Sequence, residues 1–120
     1  MALALDKPII DVYESTGAIN AKRLAVLLGL SQTELAKAIG RDRTAISRGT
    51  ASAAQKDLVA ILAVFLRVLR LVGGREDLER IWLHAPNLEL DHKQPVDFLT
   101  QRKLRFLESI LSAVEEGVPD

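Results

Sequence analysis

At 120 residues and 48% hydrophobic content, the chain carries enough apolar material to bury a real core, as one domain or two small ones. The absence of cysteine excludes disulfides, thiolate zinc sites and cysteine nucleophiles, and it is compatible with a reducing compartment. Net charge is zero, which argues against a generic polyanion binder. Its distribution is uneven: residues 20–50 carry six Lys or Arg against two acids (net +4), and residues 75–120 carry six against ten (net −4). That contrast suits two surfaces with different partners, only the first of them fitted to phosphates.

The opening MALALDKP has no basic leader, and the longest apolar run, Leu58 to Leu66, falls well short of the ~18 residues of a membrane span. A soluble, cytoplasmic protein with no membrane partner is expected. Residues 1–19 are apolar but loosely patterned, with Ile9, Ile10, Val12 and Tyr13 available for packing. They read either as a short helix begun by Pro8 or as an arm that docks on a partner subunit. Asn20 is a natural N-cap for a helix through Leu28, with Leu24, Leu27 and Leu28 inward and Gly29 at its end.

Ser31 to Arg48 is the most informative stretch. Ser31 and Glu34 form a capping box that starts a helix at Gln32, Leu35, Ala36 and Ile39 share one face, and Gly40 stops it. Asp42 offers a second N-cap for a short helix whose core residues are Ala45 and Ile46 and whose free face carries Arg43, Thr44, Ser47 and Arg48. Two short helices joined by a tight glycine turn have the geometry that enters a major groove, although an ordinary helical hairpin has the same pattern. The run LSQTELAKAIGRDRTAISR resembles the Xre class of repressor-type helix-turn-helix domains in its Leu-Ser-Gln opening, Leu-Ala pair, glycine turn and Ile-Ser close. It departs from that class at Gly49, where an aromatic is frequent.

Ser52 and Gln55 suggest another capping box, opening a helix that runs to about Val72 and ends at Gly73 and Gly74. Leu58, Ile61, Leu62, Phe65, Leu69 and Val72 form one stripe, and Val59, Val64, Leu66, Val68 and Leu71 fill most of the remaining circumference. A helix apolar nearly all round is buried on several sides, so the expectation is a spine completed by a second copy of the chain, the alternative being that the terminal helices wrap it. Arg75 to His84 reads as a helix with Leu78, Ile81, Trp82 and Leu83 inward, broken by Pro86 and Asn87. Pro95 begins another with Val96, Phe98 and Leu99 on its apolar side. The last should run from about Gln101 to Glu116 on Leu104, Leu107, Ile110, Leu111 and Val114, with Gly117 as its stop.

The fold class expected is all-α. An N-terminal segment or arm (1–19) precedes a helix-turn-helix bundle (20–50), a long central helix (51–74) and a small helical C-terminal domain (75–120). From Ile81 the run IWLHAPNLELDHKQPVDFL, followed by a closing apolar helix, resembles the toxin-binding domain of the MbcA/ParS/Xre antitoxin family at Trp82, Leu83, Pro86, Asn87, Leu90, Pro95, Phe98 and Leu99. Most of these have structural roles that need no partner, with Trp82 a core anchor, Asn87 a turn residue and Pro95 a helix starter.

The resemblance implies an antitoxin of a type II toxin–antitoxin system that neutralises its cognate toxin, of the NAD-consuming RES type, by direct binding. Autoregulation of the operon through operator DNA and a hetero-oligomer with the toxin are expected with it, and the apolar central helix adds the expectation of a homodimer. The alternatives are a stand-alone Xre-like repressor and an interaction module that has lost DNA binding. The candidate DNA contacts are Gln32, Thr33, Arg41, Arg43, Thr44, Ser47 and Arg48. The resemblance further implies C-terminal residues that reach toward the toxin's pocket, for which the candidates here are Arg102, Arg105, Glu116, Val118, Pro119 and Asp120. No cofactor or metal is expected, since His84 and His92 lack the spacing of a helical ligand pair and have no cysteine to join them. Nor is an enzyme, because no nucleophile elbow or facing carboxylate pair is readable.

Overall fold

The structure is a computed structural model in which residues 11–47 and 54–117 are described. Seven α-helices occur among them: α1 (Ala21–Leu28), α2 (Gln32–Ile39), α3 (Arg43–Ser47), α4 (Gln55–Leu71), α5 (Glu76–His84), α6 (Pro95–Thr100) and α7 (Leu104–Gly117). A short 3₁₀ turn, Leu88–Leu90, lies between α5 and α6. No strand occurs among the described residues, which hold only two isolated bridges, Tyr13 with Ile19 and Asn87 with Lys93. The fold is all-α, as the helical spacing predicts.

Helix boundaries follow local chemistry. The Asn20 side chain accepts from the Arg23 N–H and starts α1, and left-handed Gly29 ends it. Pro95 opens α6, where the Gln94 N–H donates to the Asp97 carboxylate. Two boundaries differ from the sequence reading. Ser52 lies outside the described residues, α4 begins at Gln55 behind Ala54, and the Gln55 amide donates to the Ile19 carbonyl at 2.9 Å and accepts from the Ile19 N–H at 2.8 Å. Those backbone groups sit in buried chain that no helix satisfies, so an amide with both a donor and an acceptor is worth more there than at a cap. The last helix begins at Leu104 and not near Gln101, because Arg102 takes a left-handed φ of 59° that interrupts the helical path.

One hydrophobic core runs from Val12 to Leu111 through every helix. At its centre α4 buries Leu58, Ile61, Leu62, Val64, Phe65, Val68 and Leu69 against α1, α5 and α7. Each fully buried leucine, such as Leu58, contributes about 2 kcal/mol of transfer free energy. The spine is therefore clothed by its own chain. Its wet stripe is Lys56, Val59, Ala63 and Arg70, with Val59 the one large apolar residue left exposed along it. The ground for expecting a second copy along this helix is thereby removed. Arg67 ties α4 to α7, donating to both Glu115 oxygens at 2.7 and 3.2 Å and to the Ser112 hydroxyl at 3.0 Å.

Helix α5 faces the core differently from the sequence reading. Leu83 is buried and Trp82 half-buried, whereas Ile81 and Leu78 are exposed. The residue one turn before Leu83, and so on its face, is Glu79, which is 1% exposed.

Candidate functional site

The hairpin of α2 and α3 is fixed at both ends. Both halves of the capping box form, the Glu34 N–H donating to the Ser31 hydroxyl at 3.0 Å and the Ser31 N–H to the Glu34 carboxylate at 2.8 Å. Gly40 adopts φ 69° and closes the helix through N–H donation to the Ala36 and Lys37 carbonyls. Fully buried Ile46 then pins α3 to the core, as Leu35, Ala36 and Ile39 pin α2. The polar residues between these anchors turn outward: Arg41, Arg43 and Thr44 are exposed together at the turn. Gln32, half-buried, and Thr33, exposed, sit at the far end of α2, about 12 Å away at 1.5 Å per residue. The Ser47 side chain, Arg48 and Gly49 lie outside the described residues.

The C-terminal candidates do not form one patch. Arg105 and Glu116 are exposed on α7, and eleven residues of helix place them on one face about 16 Å apart. Arg102 precedes α7 and stands elsewhere: its guanidinium lies against Gly40 of the hairpin turn. Val118, Pro119 and Asp120 lie outside the described residues.

What the sequence reading missed is a shallow groove beside α7, lined by Leu90, Asp91, Lys93, Phe98, Lys103 and Phe106. The Phe98 and Phe106 rings meet at 5.0 Å between centroids, tilted by 35°. Phe98 is buried but Phe106 is half exposed, and Leu88, on the loop that leads into the groove, is 78% exposed. That loop is held by the Asn87 N–H donating to the Lys93 carbonyl and turns through left-handed Asp91 and His92. Exposed aromatic and aliphatic side chains rimmed by charge are the make-up of a protein-binding patch. Phe106 lies off the Leu104, Leu107, Leu111 stripe, so an aromatic on the wet face of the last helix was the available signal.

Helix α5 joins the C-terminal layer to α1. Arg80 donates to the Val26 and Leu27 carbonyls at 3.5 Å, and the His84 Nε2 lies 2.9 Å from the Leu28 carbonyl, so α5 covers the C-terminal end of α1. A Cβ on Gly29 would stand 3.1 Å from that imidazole nitrogen. His84 is thus engaged with backbone, and no cluster of three metal-ligating side chains occurs among the described residues. Glu79, in the same helix, is buried with Oε2 lacking any partner, and burial pushes its carboxyl up to about 8 despite neighbouring Arg80.

Together these features define an all-α protein in which a cationic helical hairpin and an apolar-grooved C-terminal layer share a single core. Residues 67–117 match the family model described as the antitoxin Xre/MbcA/ParS C-terminal toxin-binding domain. Among solved structures, a chain of the M. tuberculosis MbcT-MbcA toxin-antitoxin complex is similar in fold, with 19% identity and a TM-score of 0.55 over 83% of this chain and 94% of that one. No curated protein matches the chain in sequence. No helix among the described residues is long and apolar enough to cross a membrane.

Proposed function

We propose that this chain is the antitoxin of a toxin–antitoxin pair, neutralising a cognate toxin through its C-terminal layer and repressing its own operon through the α2–α3 hairpin read as a helix-turn-helix. The match of residues 67–117 to a toxin-binding domain carries the first part. The exposed Phe106 and Leu88 beside the Phe98 groove support it, since an exposed aromatic and aliphatic surface rimmed by charge is what a protein partner buries. The charge of residues 20–50 and the exposed Arg41, Arg43 and Thr44 support the second. An NAD-consuming RES toxin in the cytoplasm is the partner the family resemblance favours. A homodimer that paired two recognition helices on a palindromic site would have to form away from the central helix.

The test is coexpression with the product of the adjacent open reading frame. Growth arrest by that protein alone, relieved by this chain and not by its Phe106→Asp variant, is the expected result. A neighbour that binds no part of this chain would leave a stand-alone repressor as the better reading. For the hairpin, Arg43→Ala should weaken binding to the upstream region by about 1 to 3 kcal/mol in a gel-shift titration if it reads a guanine. Unchanged affinity would remove base reading from α3.

A further inference from the structure

Arg102 stands apart from the other C-terminal candidates. A Cβ built on Gly40 would lie 2.8 Å from the Arg102 Cζ and Nη1 and 3.3 Å from its Nε, so the guanidinium lies flat against the glycine of the hairpin turn. A Cβ there would make the exposed guanidinium shift, and the φ of 69° is what favours glycine at this position. Arg102 itself holds φ 59°, a left-handed conformation that a long side chain adopts at an energetic cost Asn or Gly would escape. Two backbone irregularities from distant parts of the chain therefore converge to lay one guanidinium on the turn that also bears Arg41 and Arg43.

Arg102 is exposed and makes no side-chain hydrogen bond or ion pair among the described residues, although the small recess it shares with Ala38, Ile61, Leu99 and Leu104 also includes Asp57. A buried-face packing role would be served by an apolar residue. A planar fork of donors held in solvent, unpaired and beside two other arginines, is the arrangement that takes a phosphate.

We propose that Arg102 is a phosphate contact of the DNA-binding surface, so that the footprint on the duplex crosses from the hairpin onto the turn before α7. The inference rests on the DNA-binding reading above and extends it to a residue of the toxin-binding half. The ligand is the sugar–phosphate backbone, without base preference.

The experiment is fluorescence anisotropy with the full chain on two duplexes of equal length, one from the region upstream of its own gene and one of random sequence, across a series of KCl concentrations. Arg102→Ala should weaken both complexes by the same factor, about fivefold to tenfold at moderate salt, and should lower the slope of log K against log salt by about 0.9. Arg102→Lys, which keeps the charge, should recover most of the slope. Arg43→Ala runs in parallel and should lose affinity chiefly on the upstream duplex. Wild-type affinity and slope in Arg102→Ala, with Arg43→Ala impaired, overturns this inference and leaves the DNA reading standing. No binding by the wild type even at low salt overturns both. A loss that Arg102→Lys does not recover, accompanied by a lower melting temperature, assigns Arg102 to packing on Gly40 and overturns the phosphate role.

Discussion

Replacing Glu79 with leucine should stabilise this protein, and by an amount that depends on pH. The carboxyl is 1% exposed, has an oxygen without a partner and sits on the face of α5 that holds Leu83. Burial raises its proton affinity from an ordinary value of 4.5 to about 8. The folded state therefore holds the proton more tightly than the unfolded chain, folding takes up a proton between those two values, and stability falls as pH rises through that window and levels off above it. At about 1.4 kcal/mol per tenfold in proton affinity, the loss reaches about 3 kcal/mol at pH 7 and about 5 kcal/mol above pH 8. Leucine has a similar volume and no charge to desolvate, so Glu79→Leu should gain about 3 kcal/mol at neutral pH, or about 10 °C in melting temperature for a chain of this size. Thermal denaturation of the two proteins in parallel across this range should show the gap closing toward pH 5. A gap that does not change with pH, or a variant less stable than the wild type at pH 8, would refute the reasoning.

Two further outcomes follow from contacts between distant parts of the chain. Gln55→Ala should cost about 1 to 3 kcal/mol, because it strands both the N–H and the carbonyl of buried Ile19; a change in denaturation midpoint equivalent to less than ~0.5 kcal/mol would mean that water replaces the amide there. Arg67→Ala should cost about 1 kcal/mol at neutral pH, the worth of a bidentate pair about a quarter to a third exposed. Its hydrogen bond holds the Glu115 carboxyl below its ordinary value, so this contribution is present above 4.5 and is lost as pH falls through the lowered value. Urea titrations near neutral pH and in acid should show wild type and variant converging only in acid.

The hairpin was legible because its determinants are local. Ser31, Glu34 and Gly40 act on backbone groups within five residues of themselves, and the structure shows each in that role. The same holds for Asn20 and Pro95. What stayed hidden depends on partners far along the chain. The Ser52–Gln55 spacing suggests a capping box, and nothing in the sequence says that the Gln55 amide will meet Ile19, 36 residues away. Glu79 looked like one of many acids, since burial of a polar residue breaks the periodicity from which inward positions are read. Arg102 sits in a run, QRKLRF, that reads as the start of the last helix, and its left-handed φ follows from no local signal. The completeness with which α4 is covered likewise depends on where α1, α5 and α7 fall, which periodicity cannot rank.

The seam between the two halves has an evolutionary consequence. The carbonyls that end α1 are met by Arg80 and His84 of α5, and α2 rests on α6. Each half therefore completes hydrogen bonds and apolar faces belonging to the other. A recombinant that joined this hairpin to the C-terminal layer of a distant relative would inherit open helix ends and a mismatched core unless residues equivalent to Arg80, His84 and Arg102 travelled with it. Whatever the two outer surfaces bind, their preferences must then change by substitutions on one inherited body, and not by the exchange of interchangeable parts.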